Sequence, residues 1–424
     1  MTAGGDAQPP RERRRLLPVL VNTGVLAAIG AVVLAVSLSG CRGSSGGSGT
    51  ATSSRAPAPS TGPTYRVTAT VPFANDPSEV AKALSVVAVD PGSHAVYVAV
   101  DDSVSVINGS THTVTATVPV GKDPRWMVVD PGSHTLYVMN VGDGTVSVID
   151  ASTHTVTATV SVAKPYWMAV DPGSHTVYVA NGGVHNSVSV IDGSTQTVTA
   201  TVPVGKNPDG VAVDPGTHTV YVTNLGTVGP DGQVEEDGTV SVIDASTHIV
   251  TATVPVGKHP DEVAVDPGTH TAFVTNTGPL RPDGQVERDG TVSVIDASTH
   301  TVTATVPVGK HPFSMALDPG SHTVYVTNFG DNTVSVIDAS TRTVSATVPV
   351  GKYPQAVAVD PGTHTVYVTN DGDNTVSVID GSTRTVTATV PVGGQPNRVA
   401  VDPGTHTVYV ANTLTSTVSV IESR

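Results

Sequence analysis

Residues 353–390 read Tyr-Pro-Gln-Ala-Val-Ala-Val-Asp, Pro-Gly-Thr-His, Thr-Val-Tyr-Val-Thr-Asn, Asp-Gly-Asp-Asn, Thr-Val-Ser-Val-Ile-Asp, Gly-Ser-Thr-Arg and Thr-Val-Thr-Ala-Thr-Val. Four short runs rich in Val and Thr alternate with three clusters of turn residues. Branched β-carbons suit a pleated strand, and the Gly, Pro, Asp and Asn clusters punctuate it, so the stretch predicts four antiparallel strands. Within Asp360-Pro361-Gly362 the proline presets φ, the aspartate can bond forward to the backbone, and the glycine is expected to take positive φ. The runs 365–369 and 375–378 alternate as strands with two distinguishable faces should.

The unit recurs. Asp-Pro-Gly begins at Asp90, Asp130, Asp171, Asp214, Asp266, Asp318, Asp360 and Asp402, at spacings of 40, 41, 43, 52, 52, 42 and 42. A period near 42 built of β-type runs predicts propeller blades, and the i, i+3, i+4 spacing of helical repeats is missing. The repeat array opens with an outermost-type strand (66–71) and ends with the other three types (397–421). The last blade must therefore borrow the first strand, which closes the ring and removes open sheet edges. The expected fold is all-β: an eight-bladed β-propeller of four-stranded antiparallel blades over residues 64–424.

Composition agrees with this and excludes several activities. The 424 residues are 4% aromatic and 13% charged, with 42 Gly, 32 Pro and one cysteine. Cys41 alone excludes intrachain disulfides, four-cysteine zinc sites and CxxC redox chemistry. Residues 1–63 carry six Arg and two acids, leaving 15 basic and 34 acidic residues beyond, a balance near −19. Such a surface repels polyanions, so no nucleic-acid partner is expected.

Arg11, Arg13, Arg14 and Arg15 precede an apolar run to Leu38 and then Leu38-Ser39-Gly40-Cys41. The segment 1–41 resembles a bacterial lipoprotein signal peptide, which implies lipidation of Cys41 and cleavage before it; an uncleaved membrane anchor is the alternative. The Arg13-Arg14-Arg15-Leu16-Leu17 run also resembles a twin-arginine signal. Residues 42–63, rich in Gly, Ser and Pro, read as a flexible tether with a reach on the order of 25 Å. The expected location is extracytoplasmic, lipid-anchored to the bacterial cell membrane.

Tyr-Val-Thr-Asn stands at 221–224, 325–328 and 367–370, with Tyr-Val-Ala-Asn at 178–181 and 409–412 and Phe-Val-Thr-Asn at 273–276. Together with Gly-Lys-x-Pro and Val-Asp-Pro, these repeats resemble the YVTN family of β-propellers across residues 64–424. The resemblance implies an extracytoplasmic propeller of the kind associated with surface layers, adhesion or redox-enzyme-like proteins. Seven blades are commoner in that family than eight. Fold is implied by it, and function is not.

Positions that differ between copies cluster on the face holding the Gly-Lys-x-Pro connections and the loops after Tyr-Val-Thr-Asn. Arg125, Trp126, Tyr166 and Trp167 bring the only two tryptophans to neighbouring blades, and Phe313 takes the same tier. They could stack a sugar, a peptide aromatic or a cation, or pack between blades as wedges. The fourteen-residue loops at 225–238 and 277–290, ten residues longer than their counterpart at 371–374, supply Asp231, Glu235, Glu236, Asp237, Asp283, Glu287 and Asp289, which could bind Ca²⁺ or simply decorate extended hairpins. No other cofactor is expected. Six lysines, at 122, 164, 206, 258, 310 and 352, either ring the mouth or remain solvated loop charges. Twelve of the 15 histidines lie in repeated turns. His259 and His311, with Asp261 and Glu262, are the candidates for acid/base or metal chemistry, although no GxSxG, HExxH or P-loop motif accompanies them.

The sequence thus leads to a monomeric binding scaffold whose partner is a cell-surface protein, glycan or cell-wall polymer. The alternative is a propeller hydrolase or lyase of the lactonase or antibiotic-ring-opening kind.

Overall fold

The computed structural model describes residues 63–73, 84–227, 229, 234, 237–278 and 289–424. Thirty-two strands among these residues form eight antiparallel four-stranded sheets. The innermost strands are, in blade order, Leu84–Asp90, Pro124–Asp130, Pro165–Asp171, Pro208–Asp214, Pro260–Asp266, Pro312–Asp318, Pro354–Asp360 and Pro396–Asp402. Blade 8 takes its outermost strand from the start of the array. Tyr65–Pro72 pairs with Thr417–Ser423, from Tyr65 opposite Ser423 to Pro72 opposite Thr417. Thr64 and Arg424 exchange two backbone hydrogen bonds of 2.9 Å just beyond. The eight-bladed propeller and its staggered closure are as expected. The leader 1–41 with Cys41, and the tether up to residue 62, lie outside the described residues. Among the described residues no helix is long and apolar enough to cross a membrane.

Two sequence expectations need correction. The alternation in the second and third strands does not separate a wet face from a dry one. All of Thr365–Asn370 is buried, because both faces of a blade pack against neighbouring blades. Only the outermost strands alternate in exposure, with Val390 buried near the end of Thr385–Pro391. The apolar core accordingly lies between blades: Tyr325 and Val336 of blade 6 pack with Val357, Val366 and Ile379 of blade 7.

The second correction concerns the turns. Gly362 does not adopt positive φ; the left-handed residue of each Asp-Pro-Gly turn is the histidine, at φ 49° to 58°. The aspartate side chain organises the turn. Gly362 N donates to Asp360 Oδ1 at 3.1 Å, and Thr363 Oγ1 donates to Oδ2 at 2.7 Å. The left-handed backbone then sends the imidazole to the preceding blade. His406 Nδ1 meets Asp360 Oδ2 at 2.7 Å, His364 meets Asp318 at 2.7 Å, and His175 meets Asp130 at 2.7 Å. His94 of blade 1 reaches Asp402 of blade 8 at 2.8 Å, so the series is circular. His134 and His218 sit slightly farther off, at 3.5 and 3.6 Å from Asp90 and Asp171.

These contacts explain the glycine. A Cβ on Gly362 would lie 2.7 Å from His406 Cε1, and one on Gly404 2.6 Å from His94 Cε1. Glycine is needed there to admit the neighbouring blade's imidazole.

His406→Ala should lower the unfolding free energy by about 1–2 kcal/mol through loss of a charge-assisted hydrogen bond. Gly362→Ala should cost a similar amount by displacing the same ring. Because both break one contact, the double variant in urea unfolding should fall well short of the sum of the two. Simple additivity would refute the linkage.

Candidate functional site

The Asn that ends the second strand in blades 2 to 8 builds the variable face. Asn328 Nδ2 donates to Thr333 Oγ1 at 3.0 Å and Ser335 Oγ at 2.9 Å, while its Oδ1 accepts from Gly309 N at 3.0 Å. A Cβ on Gly309 would stand 2.7 Å from Asn328 Cγ, which accounts for the glycine of Gly-Lys-x-Pro. The residue before the proline is then left-handed: Asp123, Asn207, His259, His311, Tyr353 and Gln395 all have φ between 50° and 55°. Backbone bonds such as Phe329 N to His311 O at 2.9 Å and Asp371 N to Tyr353 O at 3.1 Å tie this loop to the one after the Asn. With the backbone held by the repeat, four side chains per blade are left free to vary. They are the residue before the proline, the two after it, and the one after the Asn.

The lysines of these loops have local partners. Lys122, Lys310 and Lys352 donate their backbone N–H to Asp143, Asp331 and Asp373 at 2.7 to 2.8 Å, and Lys206 Nζ donates to Thr227 Oγ1 at 2.8 Å. Lys352 Nζ also comes within 3.9 Å of Asp373 Oδ1.

Trp126 and Trp167 turn inward. They are 2% and 4% exposed. Their rings stack at 4.6 Å, and Trp126 Nε1 donates to Met168 O at 2.8 Å across the blade boundary. Of the two readings of the indole pair, a stacking platform at the mouth is corrected and the wedge between blades is what the structure shows: the rings pack between innermost strands, and the Trp126 N–H is already used. Arg125 is half-exposed and bonds Asp123 at 2.9 Å. Tyr166 packs over Gly182 and receives Lys164 Nζ at 5.4 Å from its ring centre.

Blades 6 and 7 hold an aromatic cluster instead. Phe313 and Phe329 lie 5.9 Å apart, and His311 meets them edge-on at 5.9 and 5.4 Å. Phe329 stacks on Tyr353 at 5.1 Å, and Tyr353 is 49% exposed. Phe313 was legible as a departure from the repeat. Phe329, which replaces Val141, Leu225 or Asp371 of other blades, was the missed member, and the same comparison between copies would have found it.

Blades 4 and 5 carry Asp209 and Asp261 at the position after the proline. Gly210 lets their strands approach: a Cβ there would lie 2.5 Å from Asp261 O, which Thr223 Oγ1 bonds at 2.8 Å. Burial raises both carboxyls, Asp209 well above the usual range with the Asp261 charge adding to it, and Asp261 to about 7. One position on, buried Glu262 accepts from Met315 N at 2.7 Å and helps hold the charge of buried Arg398, whose burial pulls it down to about 10. Blades 6 and 7, between these two, have the small Ser314 and Ala356 at that position. Glu262 is thus committed to protein partners, and Arg398 joins the inner residues as a charge that its own strand buries.

His259 and His311 are half-buried, and burial lowers both; His259 is lowered further by repulsion from His311. Among the described residues no three His, Cys, Asp or Glu side chains converge as a metal-binding group. Of the insertion acids, Asp237 and Asp289 are exposed. Asp231, Glu235, Glu236, Asp283 and Glu287 lie outside the described residues.

The raised carboxyls give a pH dependence of defined sign. From the ordinary value of 3.8 up to about 7, the folded protein holds protons that the unfolded chain has released, so stability falls as pH rises through that window. Melting temperature should drop by a few degrees between about pH 5 and pH 8 in the wild type, and Asp209→Asn/Asp261→Asn should flatten that slope. An unchanged slope would place the titration elsewhere.

The comparisons with known proteins concern the fold. A YNCE-like beta-propeller model matches residues 65–228, and a choice-of-anchor I domain model matches residues 166–311. No curated protein sequence matches the chain. A chain of hydrazine synthase from Kuenenia stuttgartiensis superposes with a TM-score of 0.56 at 18% identity, covering 82% of this chain and 97% of that one. Matches extend to 1668 solved chains, so likeness of this kind identifies an architecture and selects no activity. The chain is a β-propeller repeat protein, in keeping with a binding or scaffold role.

Proposed function

We propose that the protein is an extracytoplasmic binding scaffold, tethered to the bacterial membrane through lipidated Cys41, that presents the variable face of a monomeric propeller to a cell-wall or cell-surface glycan. The observation that carries this reading is the cluster of His311, Phe313, Phe329 and Tyr353. In a chain that is 4% aromatic, four rings gather at positions the scaffold does not prescribe. Tyr353 is bulky, half-exposed and left-handed where other blades place Asp123 or Asn207, and such strain is retained where the side chain has a use. A stacked Tyr–Phe platform suits the apolar face of a sugar ring, with Asp331, Asp371 and Asp373 nearby to accept hydroxyl hydrogen bonds.

A second reading, a propeller hydrolase or lyase, is favoured by the raised carboxyl of Asp261 two residues from His259, whose imidazole, like that of His311, is lowered by burial. Recovery of a bound oligosaccharide after incubation separates the two: a scaffold returns it intact, an enzyme returns it cleaved.

Oligosaccharides released from bacterial cell walls should bind the wild-type protein, and Tyr353→Ala should weaken binding roughly tenfold, about 1.4 kcal/mol, with an unchanged melting temperature. Retention of full affinity by both Tyr353→Ala and Phe329→Ala would sink the platform. For the tether, the wild type should be labelled by radioactive palmitate and Cys41→Ala should abolish that labelling; an unlabelled wild type that still sediments with the membrane would leave the uncleaved anchor in its place.

A further inference from the structure

One threonine hydroxyl lies where the chain segments that carry the rings of the aromatic cluster meet. Thr327, fully buried near the end of the second strand of blade 6, is two residues from Phe329. Its Oγ1 accepts a hydrogen bond from Ser314 N, next to Phe313, at 2.9 Å. Its own proton is within reach of Ser314 O at 3.2 Å and of Gln355 O at 3.3 Å, the latter in blade 7 and two residues from Tyr353. The segments of Phe313, Phe329 and Tyr353 thus share one buried hydroxyl.

The repeat does not demand a threonine at this place. Blades 1, 2, 3 and 8 hold Ala99, Met139, Ala180 and Ala411 there, and the innermost strand pairs with them directly, through Val86, Trp126, Trp167 and Arg398. Blades 4 to 7 carry Thr223, Thr275, Thr327 and Thr369, and their pairing resumes only one residue later, at Val211, Val263, Met315 and Val357. The hydroxyl replaces the missing rung by accepting from Gly210, Glu262, Ser314 and Ala356 N at 2.7 to 3.0 Å. Among the described residues, Thr275 and Thr369 bond within their own blade, whereas Thr223 and Thr327 also reach the next one, at Asp261 O and Gln355 O. The boundary that Thr327 bridges is the one across which Phe329 stacks on Tyr353.

We propose that Thr327 is a positioning residue, which ties the innermost strands of blades 6 and 7 together and so sets how Phe313 and Phe329 stand to Tyr353. The inference rests on the glycan-binding reading above for what the rings do, and adds what holds them. Ring pairs tolerate a range of offset and edge-on geometries. A buried hydroxyl with a donor on one side and two carbonyls on the other is far more selective. Its loss leaves the buried Ser314 N–H without an acceptor, so that segment shifts to find another.

The test uses the full chain in detergent, titrated calorimetrically with oligosaccharides released from bacterial cell walls. Thr327→Ala, a residue the repeat itself carries there in blades 1, 3 and 8, should weaken binding roughly tenfold, and Thr327→Ser should retain it. Thr275→Ala removes the equivalent hydroxyl without a cross-blade bond, and should lower the melting temperature comparably while leaving affinity unchanged. Full affinity in Thr327→Ala, or an equal loss in Thr275→Ala, overturns the positioning role and leaves the glycan reading standing. Binding by no form, the wild type included, overturns the glycan reading and leaves the positioning role to a second measurement. That measurement is nitration of half-exposed Tyr353 by tetranitromethane, followed by peptide mass spectrometry. Nitration should quicken in Thr327→Ala and not in Thr275→Ala; equal rates overturn the role. Should Thr327→Ala prove too unstable to titrate, Thr327→Val, which keeps the shape and loses the hydroxyl, replaces it in both measurements.

Discussion

One buried carboxylate per blade holds the ring together. Each Asp-Pro-Gly aspartate is shut off from solvent and closes its own turn; six of the eight accept the next blade's imidazole at 2.7 to 2.8 Å, Asp90 and Asp171 stand 3.5 and 3.6 Å from theirs, and His94 with Asp402 returns the series to its start. Apolar packing between blades is strong but non-directional, and Val against Val does not distinguish one sliding position from another. A hydrogen bond of 2.7 to 2.8 Å from a left-handed histidine to a buried aspartate does. The staple sets how far one blade is rotated against the next.

The opposite face follows a related logic with another side chain. There the Asn of the second strand is the organiser, and the glycine of Gly-Lys-x-Pro exists to let it in. On both faces a glycine makes room for a neighbour's side chain, and a non-glycine residue takes the left-handed conformation. A polar residue fixed in this way specifies geometry, while the Val-rich strands supply most of the burial.

Function is confined to what this scaffold leaves open. Because the backbone of each connection is held by hydrogen bonds that blades 2 to 8 repeat, side chains at four positions can change without disturbing the fold. Blades 2 and 3 use them to fill space with Trp126 and Trp167. Blades 4 and 5 place carboxyls close together, and blades 6 and 7 assemble rings around Phe329. Asp371, on the same side as the rings, is likewise pushed up by burial, so acidic and aromatic groups meet at a common rim.

The sequence by itself determined the class of fold, the number of blades and the manner of closure, since strand periodicity, turn residues and strand counting are local properties that need no partner. It also marked Asp261 and Phe313, because a departure from an otherwise uniform repeat is visible without coordinates. What only the tertiary structure decided depends on which residues meet across blades. The turn histidines read as repeat ornament until His406 was seen against Asp360, about one blade away in the chain. The tryptophans read equally as platform or wedge until burial chose the wedge, and Phe329 acquired meaning only beside Tyr353. Those contacts join residues some 25 to 50 positions apart, and no local pattern states whether a side chain at such a distance turns toward its neighbour or toward water.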